Sequence, residues 1–173
     1  IGGFFAFGRD FRGGVSVAAG DLDGDGRDEI VVSSGSDGRR EIPTTVRVYR
    51  SDGRLISQFN PFGVGHFSNL TVRVEDIDDD GWGEIVALGN DGSGQGTVSV
   101  FDIQGEGTAE TVLKADGVFS PPDGRSLNRR FVAGLPSGNL PLVTVFHPGQ
   151  VSPRMFYGFE PDFRGGIQAL AMD

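Results

Sequence analysis

Asp21-Leu22-Asp23-Gly24-Asp25-Gly26-Arg27-Asp28-Glu29-Ile30-Val31-Val32 is written a second time as Asp76-Ile77-Asp78-Asp79-Asp80-Gly81-Trp82-Gly83-Glu84-Ile85-Val86-Ala87. Both copies place carboxylates at positions one, three, five and nine and glycine at position six. Acids crowded this closely repel one another in an open loop, whereas a hard cation that takes several oxygens at once turns the crowding into binding. The spacing has a mechanical basis: alternate acids converge if the backbone wraps around an ion, and Gly26 or Gly81 supplies a sharp turn that a Cβ would resist. Position seven, Arg27 or Trp82, would offer its backbone carbonyl, which leaves its side chain free to differ between copies. The pattern predicts two Ca2+ sites. Their ligands are Asp21, Asp23, Asp25, Arg27 and Glu29 in one loop and Asp76, Asp78, Asp80, Trp82 and Glu84 in the other.

Asp and Gly are also ordinary turn residues, so one copy by itself would fit a solvated turn. Turn propensity does not ask for acids at four fixed offsets twice. In a helical calcium loop of the EF-hand kind the closing carboxylate stands at position twelve. Here it stands at nine, and the short β-branched runs Ile30-Val31-Val32 and Ile85-Val86-Ala87 follow at once, which predicts a loop feeding a strand.

The charge is concentrated in the same places. Residues 21–29 and 75–84 hold 11 of the 24 Asp and Glu, offset locally only by Arg27, so the formal net charge of −9 is made by the loops. Elsewhere 13 acids face 14 bases. A chain this acidic, without a basic cluster, is a poor partner for nucleic acid or anionic lipid, and both are set aside. No apolar stretch has the length of a membrane-spanning helix. With no cysteine, disulfides and thiolate metal sites are excluded. Calcium sites of ordinary affinity fill where the free ion is abundant, which predicts an extracellular, secreted or cell-surface, location. The first residue is Ile1 and no signal peptide precedes it, from which a mature product or excised piece is expected.

A second self-match sets the architecture. Residues 4–21 and 156–173 align without a gap, with 9 of 18 positions identical, including Asp10-Phe11-Arg12-Gly13-Gly14 against Asp162-Phe163-Arg164-Gly165-Gly166. The acidic loops are 55 residues apart. Each period reads as a Phe-rich turn, an alternating strand, the acidic loop, an apolar strand, a Gly-rich connection, a third strand such as Val46-Arg47-Val48-Tyr49, and a fourth such as Leu55-Ile56-Ser57-Gln58-Phe59. Short antiparallel strands at this period, with no helical periodicity, predict an all-β fold of β-propeller blades. Approximate repeats are 4–58, 59–113, a degenerate 114–155, and 156–173 as the start of a further one. In the degenerate copy Leu135, Ser137 and Pro141 replace the acids and only Gly138 survives, so that copy is expected to be metal-free and short of a strand.

These residues resemble the FG-GAP or VCBS repeats of integrin α-subunit-like β-propellers and of bacterial surface proteins. The acidic loop before Ile-Val-Val, with Phe11-Arg12-Gly13-Gly14-Val15 ahead of it, carries the resemblance. It implies calcium at the outer edges of blades between the first two strands, on the residues named above. This chain departs by using Glu at position nine, where Asp is commoner. Three units do not close a ring of about seven blades, so either a longer chain or head-to-tail self-association through the terminal repeats is implied.

Nothing in the sequence assembles a catalytic set. His66 and His147 stand singly in Gly- or Pro-flanked turns, without convergent partners for a triad or a zinc site, and the clustered carboxylates are claimed by the loops. The chain is expected to be non-enzymatic. Trp82, the sole Trp, is expected to pack over the neighbouring blade; its other reading is a sugar-stacking platform. The recurring Phe4, Phe7, Phe11, Phe59, Phe62, Phe67, Phe156, Phe159 and Phe163 are expected between blades. The Gly13-Gly14 and Gly165-Gly166 pairs are expected at a bulge or a close strand approach, and residues 116–128, rich in Pro, Gly and Asp, are expected to form a long loop. The function expected is a calcium-stapled module for adhesion or surface and filament assembly, with a protein or glycan partner at the cell surface. The alternative is a carbohydrate-binding module of a polysaccharide-active protein.

Overall fold

Alternating and β-branched runs separated by Gly- and Asp-rich turns have one low-energy outcome, strands paired with their sequence neighbours. The computed structural model has that outcome, and it describes residues 2–35, 43–63, 69–90, 96–105, 131–134, 142–146, 154–163 and 165. Among the described residues there are ten strands and no helix. β1 (Val15–Gly20), β2 (Glu29–Ser34), β3 (Val46–Tyr49) and β4 (Leu55–Phe59) form a four-stranded antiparallel sheet in sequence order. β5 (Thr71–Glu75), β6 (Glu84–Asn90) and β7 (Gly96–Phe101) form a second sheet of the same design. β8 (Phe131–Gly134), β9 (Leu142–Phe146) and β10 (Arg154–Tyr157) form a third, with β9 central. These are β-propeller blades. A fourth strand for the second repeat, the degenerate third loop, both histidines, Phe67 and residues 116–128 lie outside the described residues.

The first two sheets pack on each other, and alternation along β1 decides how. Ser16, Ala18 and Gly20 turn toward the second sheet. The backbone N–H of Val72 donates to Ser16 Oγ at 3.2 Å, and the buried Ser33 hydroxyl donates to the Leu70 carbonyl at 2.8 Å. Gly20 is required here, because a Cβ would lie 2.5 Å from a Val74 methyl carbon. Between the sheets a core forms from Leu22, Val31, Val46 and Val48 on one side and Leu70, Val72, Ile85, Ala87 and Phe101 on the other. Phe59 and Phe62 fill its margin, with the Phe59 and Phe101 ring centroids 4.9 Å apart. Farther on, Arg73 donates to the Val132 carbonyl at 2.9 Å and ties the second sheet to the third.

The opposite face of the first sheet is treated differently. Val15 and Val17 there are exposed, although Leu70 and Val72, their counterparts 55 residues on, are buried against the first sheet. The N-terminal arm covers part of this face: Phe7 joins Val32 and Tyr49 in a small cluster, and Arg47 and the Tyr49 hydroxyl both donate to the Ala6 carbonyl. A concavity of about 810 Å³ lined by Phe4, Phe5, Val15 and Val17 remains. The phenylalanines therefore divide. Phe59 and Phe62 pack between sheets and Phe7 is buried, but Phe4, Phe156, Phe159 and Phe163 are exposed, correcting the expectation that all would be inter-blade core. For Phe4 the reason is geometric, since no second sheet among the described residues lies over that face; Phe159 packs on Phe163.

Candidate metal centre

Each acidic loop joins the first two strands of its sheet, β1 to β2 and β5 to β6, so strand pairing fixes both ends. Gly20 stands opposite Glu29 and Glu75 opposite Glu84, which brings positions one and nine of each loop side by side. The turn between them needs left-handed backbone at two places. Gly24 (φ 74°) and Gly26 (φ 79°) supply it in the first loop, and Asp79 (φ 62°) and Gly81 (φ 93°) in the second. An aspartate substitutes for Gly24 at position four because Asp tolerates this region better than most residues with a Cβ.

Three hydrogen bonds recur at the same positions of both loops. Asp21 Oδ2 accepts from the Gly26 N–H at 2.8 Å, as Asp76 Oδ2 does from Gly81 at 3.1 Å. Asp25 Oδ1 accepts from the Arg27 N–H at 3.0 Å, as Asp80 Oδ1 does from Trp82 at 2.9 Å. Glu29 Oε2 accepts from the Leu22 N–H at 3.1 Å and Glu84 Oε2 from the Ile77 N–H at 3.0 Å. Backbone donors thus take part of each carboxylate's capacity and fix its direction. What remains converges: oxygens of Asp21, Asp23 and Glu29 lie within 4.8 Å of one another, and so do those of Asp76, Asp78 and Glu84. All-oxygen sets of this size suit a hard divalent cation of the calcium kind. The predicted ligands at positions one, three and nine are brought together in both loops. Asp25 and Asp80, at position five, stand beside these sets and turn one oxygen to the backbone of position seven.

Electrostatics separates the copies. In the second loop Glu84 is pushed up to about 7, chiefly by burial and also by the charges of Asp78, Asp80 and Asp76, with the Ile77 N–H opposing them. In the first loop Asp21 is partly desolvated, which would raise it, yet N–H groups of Gly26, Gly24, Asp23 and Asp25 hold it below the usual carboxylate value. Glu29 is fully buried, and Arg50, the residue after β3, reaches it. The Arg50 guanidinium makes ion pairs of 2.6 Å to Asp23, 2.9 Å to Asp25 and 2.7 Å to Glu29. Chiefly through its hydrogen bond to Asp23, it is held above its ordinary value. Sequence reading missed Arg50 because it lies more than twenty residues beyond the carboxylates it touches. The one available signal was its place at the end of a third strand whose first strand feeds the loop.

The loops also touch. The Gly83 N–H donates to the Asp21 carbonyl at 2.8 Å, joining position eight of one loop to position one of the other. The Trp82 indole lies against Gly24, where an added Cβ would come within 2.4 Å of Nε1, and the residue is still 53 % exposed. It both packs on the neighbouring blade and faces solvent. Gly14 (φ 74°) places its carbonyl to accept from the Gly35 N–H at 2.9 Å, and a Cβ on Gly35 would meet the Gly13 carbonyl oxygen at 2.1 Å. The first glycine pair thus serves a close strand approach.

Comparison with known proteins agrees with this geometry. The FG-GAP repeat family model matches residues 13–49, from the glycine pair through β1, the first acidic loop, β2 and β3. No curated protein and no solved structure gave a match. Residues 13–49 are thus similar to one FG-GAP repeat, the unit that carries the first acidic loop.

Proposed function

We propose that this chain is a non-catalytic, calcium-stabilised β-propeller module that works outside the cell in adhesion or surface assembly, with a protein or glycan partner. One observation carries the calcium reading: in two repeats of different local sequence, carboxylates at the same three loop positions converge to within 4.8 Å. Bound calcium would supply a charge that neutralises the cluster and locks the turn between the first two strands of a blade. Asp21, Asp23 and Glu29, and Asp76, Asp78 and Glu84, would hold it, with Asp25 and Asp80 and the carbonyls of Arg27 and Trp82 completing the sets. The extracellular reading is supported by the family, whose repeats are typical of extracellular proteins, and by the calcium supply there. Adhesion is supported by the exposed apolar face.

Isothermal calorimetry tests this reading with calcium titrated into chelator-stripped protein. Binding is expected, with heat lost from the second loop in Asp76→Asn/Glu84→Gln. The absence of any calcium heat at millimolar concentrations would overturn it.

A further inference from the structure

The two loops share a ligand sequence but not the residue that overlooks them. Arg50 follows β3, and its backbone is fixed by a tight turn in which the Gly53 N–H donates to its carbonyl at 2.8 Å and its own N–H donates to Arg54 at 2.9 Å. From that fixed point the guanidinium spans Asp23, Asp25 and Glu29. Three of the four acids assigned to the first site are therefore bridged by a cation belonging to the chain itself. The strand register gives the counterpart in the second repeat. Ile30 pairs with Tyr49 and Ile85 with Phe101, so the residue after Tyr49, Arg50, corresponds to the residue after Phe101, Asp102. The charge at that position is reversed. Asp102 Oδ1 accepts from the Gln104 N–H at 2.8 Å in its own turn.

A guanidinium and a divalent ion compete for the same cluster for two reasons. Each uses lone pairs of Asp23 and Glu29, and two positive charges a few ångströms apart inside a partly desolvated loop repel. Without metal, however, the guanidinium is what makes a fully buried Glu29 tolerable, since a buried carboxylate stripped of its partner is strongly destabilising.

Resting on the calcium reading above, we propose that Arg50 is a tethered cation of the first loop, which holds that loop folded without metal and must swing away before calcium can enter. The first loop then binds calcium more weakly than it would without Arg50, and it is pre-formed in the apo protein. The second loop has an acid, Asp102, at the corresponding position.

The experiment isolates the first loop by working in an Asp76→Asn/Glu84→Gln background. Calcium calorimetry then compares Arg50 with Arg50→Gln. Tighter binding by roughly tenfold or more is expected for Arg50→Gln, the order of effect for removing one like charge from beside a divalent ion. Unchanged or weaker binding would overturn the proposal. Should Arg50→Gln fail to fold without metal, a second measurement on the otherwise unaltered chain decides. The Arg50 Nε–Hε resonance is expected to move when the first loop fills, and a resonance unmoved at calcium saturation of both loops would overturn the proposal. If calcium binds neither loop in any variant, the calcium reading itself fails, whereas equal affinity with and without Arg50 removes this inference alone.

Discussion

Glu84 and Glu29 occupy the same loop position and solve the same problem by different means. Both are drawn inward by the first residues of an apolar strand, and both give one oxygen to a backbone N–H. Glu29 answers burial with Arg50. Glu84 answers it by holding its proton, with burial the first cause and the three neighbouring aspartates adding to it. The consequence for stability has a definite sign. Between the unfolded value of 4.5 and the folded value of about 7 the folded chain binds more protons than the unfolded one. The contribution of Glu84 is therefore full below the lower value and is lost as pH rises through the upper one. In chelator, the melting temperature is expected to fall from about pH 5 to about pH 8 by an amount that Glu84→Gln removes. A slope unchanged in that variant would contradict the assignment.

At the level of strands and loops, much of the arrangement was legible before any coordinates. β2, β3 and β4 fall where β-branched and alternating runs placed them, because a half-buried strand writes its faces directly into side-chain polarity. The acidic loops were legible for a similar reason, since consecutive offsets within a turn are local chemistry. Contacts between elements were not. Arg50 reaches its partners across a sheet, and Trp82 lies on Gly24 across two blades, so no local spacing encodes either. Burial of the repeated phenylalanines failed to follow from their repetition because it depends on what covers a face. Phe59 lies between two sheets, while Phe4 has none above it among the described residues. The seam between the first two sheets has its own test. Ser33 is fully buried and its hydroxyl makes one of the polar ties across it, to the Leu70 carbonyl. Ser33→Ala is expected to cost about 1 kcal/mol in urea unfolding, the value of one buried hydrogen bond. No loss would mean that this hydrogen bond contributes nothing to holding the seam.

Across the whole molecule, the acidic loops and the apolar faces are two sides of one design. A blade buries one face against its neighbour through side chains such as Val31, Val48, Val72 and Ile85, and gathers its negative charge at the loops. The chain carries a formal charge of −9, and two bound divalent ions would bring it to about −5, relieving self-repulsion where it is densest. Because the loops are joined through Gly83 to Asp21 and through Trp82 to Gly24, ordering one of them also supports the packing of the first blade on the second. The most direct measurement is thermal unfolding of the chain in excess chelator and again in millimolar calcium, at neutral pH. Calcium at 100 times its dissociation constant adds about 2.7 kcal/mol per site, so a rise of about 5–10 °C per filled site is expected. An identical midpoint in chelator and in calcium would contradict the account.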